Sequence, residues 1–368
     1  MDTDVLVVGA GPAGLATSRQ LSRRNIAHRV LERGGTVGHA WANLYDSLVL
    51  HTGKRMSHLP GLPFPRDYPT FVSRGDFLAY LRRYQETFAL PVETGVTVER
   101  LERWAEGWSA RTTAGPITAR AVVVATGIIS NPVAPIIPGR ERFTGRVIHS
   151  IAYRRPDPFR GQHVLVVGVG NSGGEIGAEL AQNGIAVTVA VRSGANVVPR
   201  ELLGIPIQYL AHYVRKLPRP AQHVVVALIR SLTVIRRGPP VLPPSPVFPL
   251  DAVPVIGFHL VDAIRSGAVE VRPGVESFTA AGVRFTDGRE EAFDSAILAT
   301  GFHAALGPLG DSIRTDAKGF ASRTDRVTSA DQPDLYFVGQ NYDSGGGLFN
   351  IGMDAELTAR HLADRVGG

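Results

Sequence analysis

Two glycine-rich segments carry the clearest chemical signal in the sequence. Each G-x-G-x-x-G pattern directly follows an aliphatic run, 5–8 or 164–167, that is typical of a buried parallel strand. The glycines are Gly9, Gly11 and Gly14 in the first segment and Gly168, Gly170 and Gly173 in the second. The first two glycines allow a tight turn against a pyrophosphate at a helix N-terminus, and the third lets helix and strand pack closely. The two segments therefore predict two bound dinucleotides.

After each glycine loop and its helix, the residue at the end of the next strand indicates how the ribose of the dinucleotide is recognised. Glu32 follows Gly14 by 18 residues, close to the spacing at which a carboxylate accepts hydrogen bonds from a ribose hydroxyl. A solvated glutamate at the strand end is the alternative. Arg192 ends a strand predicted over 186–191, where NAD-binding chains carry an acid, so its guanidinium can pair with a 2′-phosphate. The alternative is that Arg192 is merely solvated.

The elements that must position these residues predict an α/β fold with two Rossmann-like dinucleotide-binding domains, one inserted into the other. The first domain is predicted over 1–145 and 288–368, and the second over 146–287. Two apolar strands that each end in Ala-Thr-Gly, 122–127 and 296–301, bracket the second unit. We expect these strands to end the two chain segments of the first domain.

Two segments lie outside this pattern. Residues 39–75 are loop-rich, which in a compact domain indicates a functional or poorly ordered loop, and a helix is predicted directly after it, over 74–87. The insertion at about 202–250 is helical and proline-rich, with two helices broken near 217–220. Its apolar residues recur at helical spacing beside arginines. A flap packed on the core and a membrane-surface face are both open interpretations.

Composition excludes several classes of protein. The 368 residues include no cysteine, which excludes a C-x-x-C redox pair and therefore a flavin disulfide reductase. We find no convincing metal-ligand spacing and no nucleic-acid-binding motif. The net charge of +6 favours anionic ligands and leaves a weak association with an anionic surface open. The early strand at Val5 and the lack of a long apolar run predict a cytoplasmic protein without a signal peptide or membrane span. A homodimer is one oligomeric state that the sequence leaves open.

The segment 143–153 matches F-x-G-x-x-x-H-x-x-x-Y, through Phe143, Gly145, His149 and Tyr153. Together with both glycine loops and both Ala-Thr-Gly turns, this motif resembles the class B flavin-containing monooxygenases over nearly the whole chain. The segments most similar to the YUCCA-type members of that family are 38–51, 62–70, 171–173, 198–201 and 264–267. The C-terminal run 347–355 resembles theirs loosely, with two extra residues and Asn350. We interpret His149 as a satisfied core histidine, and the resemblance implies that it positions the domain junction rather than transferring a proton.

The resemblance implies that the first domain binds FAD and the inserted domain binds NADPH. FAD would rest on the first loop and on Glu32, and NADPH on the second loop and on Arg192. The cofactor-binding residues that the resemblance and the motifs imply are Gly9, Gly11, Pro12, Ala13, Gly14, Glu32, Arg33, Trp41, His51, Thr52, Val96, Ala125, Thr126, Gly127, Gly168, Gly170, Asn171, Ser172, Gly173, Arg192, Ser193, Gly301, Gly339 and Leu348.

The resemblance also implies the reaction. NADPH would reduce FAD, O2 would add at flavin C4a, and the resulting peroxyflavin would pass one oxygen atom to a small organic substrate. One candidate target is the carbonyl of a 2-oxo acid, with release of CO2. The alternatives are oxygenation of a nitrogen or sulfur, Baeyer–Villiger insertion beside a ketone, or an NADPH oxidase or reductase without an oxygenated product.

His51 is the candidate catalytic residue. It opens the stretch 51–54, where many class B enzymes carry an asparagine and YUCCA-type enzymes tend to carry histidine. The side chain would either donate a hydrogen bond to the bound peroxide or simply pack.

Overall fold

The computed structural model describes residues 1–105 and 107–366. The chain divides into two compact units. The first unit comprises 1–43, 48–131 and the chain from Phe302 onward, and the second comprises 44–47 and 132–301. The second unit is therefore inserted between two chain segments of the first, which confirms the predicted fold class.

The first chain segment of unit one alternates strands and helices and then forms an antiparallel meander. Its elements are β1 (Thr3–Val8), α1 (Pro12–Ser22), β2 (His28–Glu32), α2 (His39–Ala42), a 3₁₀ turn at Lys54–Met56, α3 (Arg74–Thr87), β3 (Val92–Thr94), β4 (Val98–Trp104), β5 (Gly107–Thr112) and β6 (Gly115–Val124). Residues 5–8 of β1 are buried, because a central parallel strand is covered on both faces.

Unit two is built from 3₁₀ turns, short strands and helices. They are 3₁₀ turns at Arg140–Arg142, Ser150–Ala152 and Asp157–Phe159, and β7 (Arg146–His149), β8 (His163–Val167), α4 (Asn171–Gln182), β9 (Ala186–Ala190), β10 (Val197–Val198), β11 (Glu201–Leu202), β12 (Ile205–Pro206), α5 (Ile207–Val214), α6 (Arg219–Arg237), β13 (Val255–Ile256), α7 (His259–Arg265), β14 (Val269–Arg272), β15 (Val275–Phe278), β16 (Gly282–Phe285), β17 (Glu290–Ala292) and β18 (Ser295–Leu298). The chain then returns to unit one through a 3₁₀ segment at Gly307–Ser312, β19 (Leu335–Phe337) and α8 (Gly347–Val366).

The main sheet of unit one has the order β3-β2-β1-β6-β5-β4, and β19 also pairs with β6. Strands β3, β2, β1, β6 and β19 run parallel, whereas β5 is antiparallel both to the first half of β6 and to the edge strand β4. The main sheet of unit two is parallel throughout, in the order β14-β9-β8-β18-β7. In both units a glycine loop follows an interior strand, β1 or β8, which is where a Rossmann-type sheet binds its nucleotide.

The structure corrects the predicted domain boundaries. The first Ala-Thr-Gly turn follows β6 in the sheet of unit one, as predicted. The second follows β18, which pairs with β7 and β8, so β18 belongs to the sheet of unit two, and the main segment of this unit is 132–301 rather than 146–287. Both parallel sheets need short apolar strands, so the sequence of β18 alone does not specify which sheet it joins.

Candidate dinucleotide sites

The first glycine loop turns from β1 into α1 along a path that side chains would block. Gly9 has a φ of +102°, and a Cβ there would lie 2.8 Å from the carbonyl oxygen of Ala125. A Cβ on Gly14 would lie 1.8 Å from the carbonyl oxygen of Gly9. A Cβ on Gly11, in contrast, would have no heavy atom within 4 Å. Open space therefore lies before the N-terminus of α1, which fits the approach of a pyrophosphate.

The N-terminus of α1 is also suited to an anion. Gly11 occupies the N-cap without a side-chain cap, proline stands in the first turn, and this turn, fully described, contains no acidic residue. The first N–H groups of the helix have no partner within the helix, and the helix dipole is positive at this end. An anionic phosphate can therefore supply the missing acceptors.

Glu32 lies at the end of β2 beside the loop and is buried. Its Oε2 accepts a hydrogen bond from the N–H of Ala10 and its Oε1 accepts one from the N–H of Gly34, both at 2.8 Å. Each carboxylate oxygen keeps a further acceptor position. The structure thus adds a bracing role for Glu32, and its contact with ribose hydroxyls stays a prediction.

Other predicted residues meet the first loop at the same sheet edge. A Cβ on Gly339, whose φ is +86°, would lie 3.1 Å from the Cβ of Ala13 in α1. Thr126 donates from Oγ1 to the carbonyl oxygen of Ala305 at 2.7 Å, and a Cβ on Gly127 would have no heavy atom within 4 Å. The edge therefore brings together the turn after β1, the turn after β6 and the turn after β19.

Three further predicted side chains have packing roles within unit one. Trp41 of α2 meets Phe77 of α3 edge to face, with ring centroids 4.7 Å apart. Val96 packs against the core, and Leu348 on α8 is buried. Arg33 is exposed. For these side chains a cofactor contact stays a prediction.

The loop 39–75 is held by side-chain hydrogen bonds that sequence reasoning missed. The ammonium group of Lys54 donates to the carbonyl oxygens of Pro65, Arg66 and Tyr68. Tyr80 of α3 accepts from the N–H of Leu59 and donates to the carbonyl oxygen of Leu62, both at 2.7 Å, and burial raises its pKa. The carbonyl groups that Lys54 gathers carry no sequence signal, because any residue supplies them.

His51 and Thr52 lie within this loop, 39–75. His51 is half-buried and directly follows Leu50, whose N–H donates to the carbonyl oxygen of Val72 at 2.8 Å. The Thr52 Oγ1 forms a hydrogen bond with the Ser57 Oγ at 2.6 Å. The backbone that carries His51 is thus well supported, and its catalytic role stays a prediction.

The second glycine loop repeats the geometry of the first. Gly168 has a φ of +101°, and a Cβ there would lie 2.6 Å from the carbonyl oxygen of Ala299. A Cβ on Gly173 would lie 2.1 Å from the carbonyl oxygen of Gly168, whereas one on Gly170 would have no heavy atom within 4 Å. The described first turn of α4 has no acidic residue and no side-chain cap on its N-terminus. This loop therefore also fits a pyrophosphate.

Side chains around the second loop differ in what they do. Asn171 donates from Nδ2 to the carbonyl oxygen of Pro254 at 3.0 Å and accepts from the N–H of Ile256 at 2.8 Å, so its amide holds β13 against the start of α4. Ser172 is half-buried at the helix start. Ser193 is exposed. Contacts of these residues with a cofactor stay predictions.

Arg192 lies two residues beyond the end of β9 and is exposed. Within residues 1–105 and 107–366 its side chain has no hydrogen bond and no ion pair. A solvated guanidinium with no partner at the end of this strand is available to a 2′-phosphate, because charge-assisted pairing with Arg is the common mode of phosphate recognition.

The motif 143–153 fastens unit two internally. A Cβ on Gly145 would lie 2.4 Å from the carbonyl oxygen of Asp294, so only glycine fits between Phe143 and β18. The Tyr153 hydroxyl donates to Glu179 of α4 at 2.8 Å. Burial raises the pKa of Tyr153, and the neighbouring Glu179 raises it further. The motif therefore ties the segment after β7 to the helix that the second loop opens.

A second tyrosine–glutamate pair lies one turn earlier on α4. The Tyr45 hydroxyl donates to Glu175 Oε2 at 2.5 Å. Burial lowers the pKa of nearby Arg200, while the charge of Glu175 acts in the opposite direction. Sequence reasoning missed this cluster. Its signal is the pair Glu175 and Glu179, four residues apart on the helix that follows the second glycine loop.

His149 is held as a neutral imidazole. Its Nε2 lies 3.1 Å from the carbonyl oxygen of Gly301, and its Nδ1 lies 3.2 Å from the backbone nitrogen of Ile151. Because the carbonyl can only accept and the N–H can only donate, the proton resides on Nε2. Burial lowers the pKa of His149, against the effect of the Gly301 carbonyl. The carbonyl oxygen of Gly301, a predicted cofactor residue, therefore accepts a hydrogen bond within unit two.

This geometry predicts a pH dependence of stability. Well above pH 6.5, the usual histidine pKa, His149 is neutral in both the folded and the unfolded chain. As the pH falls below that value, the unfolded chain takes up the proton first, so the free energy of unfolding should decrease until the lowered pKa of the folded state is reached. Urea unfolding between pH 7.5 and 5 should show a smaller decrease for His149→Gln than for the wild type. An equal decrease would contradict the buried neutral histidine.

Comparisons with known proteins agree with this geometry. A family model described as pyridine nucleotide-disulphide oxidoreductase matches residues 6–210. Indole-3-pyruvate monooxygenase YUCCA8 of Oryza sativa subsp. indica is 36% identical over 386 residues, covering 98% of this chain and 90% of that protein. Probable indole-3-pyruvate monooxygenase YUCCA4 of Arabidopsis thaliana is 35% identical over 307 residues, covering 81% and 75%.

Solved structures show the same architecture. A flavin-containing monooxygenase from Stenotrophomonas maltophilia is 25% identical, with a TM-score of 0.79 and full coverage of both chains. A steroid monooxygenase bound to NADP shares the fold at 20% identity and a TM-score of 0.75, covering 99% of this chain and 85% of that one. The disulphide chemistry in the name of the family model needs thiols, which this sequence lacks.

Proposed function

This chain belongs to the YUCCA-type flavin-containing monooxygenases and is an FAD- and NADPH-dependent oxidoreductase, and we propose that it converts a 2-oxo acid by oxidative decarboxylation. The observation that carries the proposal is its 36% identity, over 98% of the chain, with a protein named indole-3-pyruvate monooxygenase. The net charge of +6 is compatible with an anionic substrate.

The proposed reaction balances with the cofactors of the family. A 2-oxo acid, O2, NADPH and a proton give the carboxylic acid shortened by one carbon, CO2, water and NADP⁺. One oxygen atom of O2 forms the new bond to the keto carbon as the bond to the carboxylate breaks. The other oxygen atom leaves as water, with the two electrons supplied by NADPH.

Each of the two glycine loops would hold one of the two cofactors. FAD, when bound, supplies the exchange of two electrons with NADPH and the activation of O2. The space before Gly11 and the N-terminus of α1 would take its pyrophosphate, and Glu32 would accept from its ribose while it braces Ala10. The corresponding space before Gly170 would take the pyrophosphate of NADPH.

Arg192 would provide the preference for NADPH over NADH. Replacement of Arg192 by alanine should raise the KM for NADPH about ten- to a hundred-fold, because a charge-assisted contact contributes about 1.5–3 kcal/mol. The KM for NADH should change little, since NADH has no 2′-phosphate. Steady-state kinetics with both nucleotides measure this, and the exposed Arg82→Ala serves as the charge-matched control. An equal effect on both nucleotides would remove Arg192 from the phosphate site.

The proposed substrate class is tested by NADPH consumption over a panel of aryl and alkyl 2-oxo acids, tertiary amines, thioethers and ketones. Hydrogen peroxide is measured in parallel. We expect 2-oxo acids to accelerate NADPH consumption and to release CO2 even when catalase removes free hydrogen peroxide, which would otherwise decarboxylate them without the enzyme. Coupled turnover with amines, thioethers or ketones only would transfer the assignment to another class B reaction. Peroxide equal to NADPH with every compound would identify an NADPH oxidase.

A further inference from the structure

The helix pair α5–α6 of unit two exposes an unusual amount of apolar surface. We define the helical flap as residues 202–250. In the 19-residue α6, Gln222 is the only buried residue. The exposed apolar residues of this helix are Val224, Leu228, Leu232, Val234 and Ile235, with exposed fractions between 38% and 80%. The helix therefore gains little from packing on its own chain.

The exposed residues form a continuous stripe. Val224, Leu228 and Ile235 are spaced by four and then seven residues, which places them on one face of α6 along about 16 Å. The chain between β11 and α6 adds further exposed apolar residues, Leu203, Ile205, Tyr213 and Leu217. Contiguous apolar surface of this kind marks an interaction site rather than ordinary solvent-facing surface.

The charge of the flap is of one sign. Residues 202–250 contain no Asp or Glu, and their cationic residues are Arg215, Lys216, Arg219, Arg230, Arg236 and Arg237. Arg219 and Arg237 form ion pairs with Asp251 and Asp262, which lie outside the flap. Arg230 and Arg236 are exposed and have no ion pair among residues 1–105 and 107–366. Unneutralised guanidinium groups therefore accompany the apolar stripe.

We propose that the helical flap is a membrane-surface anchor that binds anionic lipid. An anionic bilayer offers both partners that the flap lacks: hydrocarbon for the stripe and negative charge for Arg230 and Arg236. A second copy of the flap offers apolar surface but only further cations, so a symmetric self-contact would place like charges together. No helix of the described chain is long and apolar enough to cross a membrane, so α6 lies on the surface. The anchor is independent of the proposed substrate.

The experiment is vesicle co-sedimentation of the full-length, FAD-loaded protein. Vesicles of phosphatidylcholine alone are compared with vesicles of phosphatidylcholine and phosphatidylglycerol at 7:3, at low and high salt. We expect the bound fraction to rise with phosphatidylglycerol and to fall at least about tenfold in apparent affinity at high salt, because salt screens the contacts of Arg230 and Arg236.

Two variants separate the apolar and the charged contributions. Leu228→Glu combined with Ile235→Glu should lower the vesicle affinity about a hundredfold, at about tenfold for each side chain removed from hydrocarbon. Arg230→Gln combined with Arg236→Gln keeps the stripe and should remove the preference for phosphatidylglycerol. Ile136→Glu, at a fully exposed apolar residue outside the flap, is the matched control and should bind as the wild type does. NADPH oxidation confirms that each variant is folded.

Three outcomes would overturn the anchor. The first is absence of wild-type binding to the phosphatidylglycerol vesicles, or binding that neither lipid charge nor salt affects. The second is a wild-type dimer, seen by sedimentation velocity, that Leu228→Glu with Ile235→Glu dissociates, because a second copy would then cover the stripe. The third is unchanged vesicle binding of that variant together with a raised substrate KM, which would make the flap a substrate cover.

Discussion

A Gly170→Ala enzyme should keep its yellow colour and its melting temperature and yet lose NADPH oxidation. Gly170 has an ordinary negative φ, and a Cβ there would have no heavy atom within 4 Å, so the fold should tolerate the methyl group. The methyl group would occupy the space that a pyrophosphate needs. We expect the apparent affinity for NADPH to fall at least about a hundredfold, a cost of about 2.7 kcal/mol, measured by anaerobic reduction of the flavin with NADPH.

Two matched glycines make this result specific. Gly11→Ala places the same methyl group before α1 and should instead give an intact protein with little bound FAD. Gly173→Ala would place a Cβ 2.1 Å from the carbonyl oxygen of Gly168 and should destabilise the protein itself. If Gly170→Ala bound NADPH as the wild type does, the second loop would be a structural turn rather than a nucleotide site.

His51→Ala should divert the electrons of NADPH to hydrogen peroxide. If His51 donates a hydrogen bond to the oxygen species at the flavin, its loss should cost about 2.7–4 kcal/mol of stabilisation, the typical effect of removing one positioned donor in an enclosed site. Reduction of the flavin by NADPH should stay nearly unchanged, because that step precedes the reaction with O2. The measurement is the ratio of hydrogen peroxide to NADPH in the presence of substrate.

His58 provides the control for His51. It is also half-buried in the loop 39–75, and its Nδ1 lies 3.0 Å from the carbonyl oxygen of the neighbouring Leu59. His58→Ala should leave the peroxide ratio as in the wild type. If His51→Ala lowered the melting temperature or the flavin content while the ratio stayed constant, His51 would be a packing residue.

Local patterns in the sequence predicted local structure well. Both glycine loops, the turn into α1 and the helix at Arg74–Thr87 follow from backbone sterics and from apolar periodicity, which act over a few residues. The placement of β18 could not be predicted in this way, because both sheets accept a short apolar strand and the choice depends on β7 and β8.

The features of the two dinucleotide sites also differ in whether the local sequence could predict them. Steric reasons for Gly9, Gly14, Gly168 and Gly173 were visible in the sequence, since the pattern itself encodes close backbone approach. The second role of Glu32, which accepts hydrogen bonds from the backbone of Ala10 and Gly34, was not visible in the sequence. It depends on backbone N–H groups that every residue supplies. The exposure of α6 was also not predictable, since apolar periodicity marks a helix face without stating what covers it.

Incorporation of ¹⁸O from ¹⁸O2 during turnover of an aryl 2-oxo acid tests the central claim most directly. Catalase is present, because free hydrogen peroxide by itself decarboxylates 2-oxo acids and would carry ¹⁸O into the same product. Mass spectrometry of the product, with NADPH and CO2 quantified in the same reaction, gives both the origin of the oxygen and the coupling. The proposed function predicts one ¹⁸O atom in the shortened carboxylic acid, and one CO2 released for each NADPH consumed. Recovery of the 2-oxo acid intact while NADPH is consumed would contradict it.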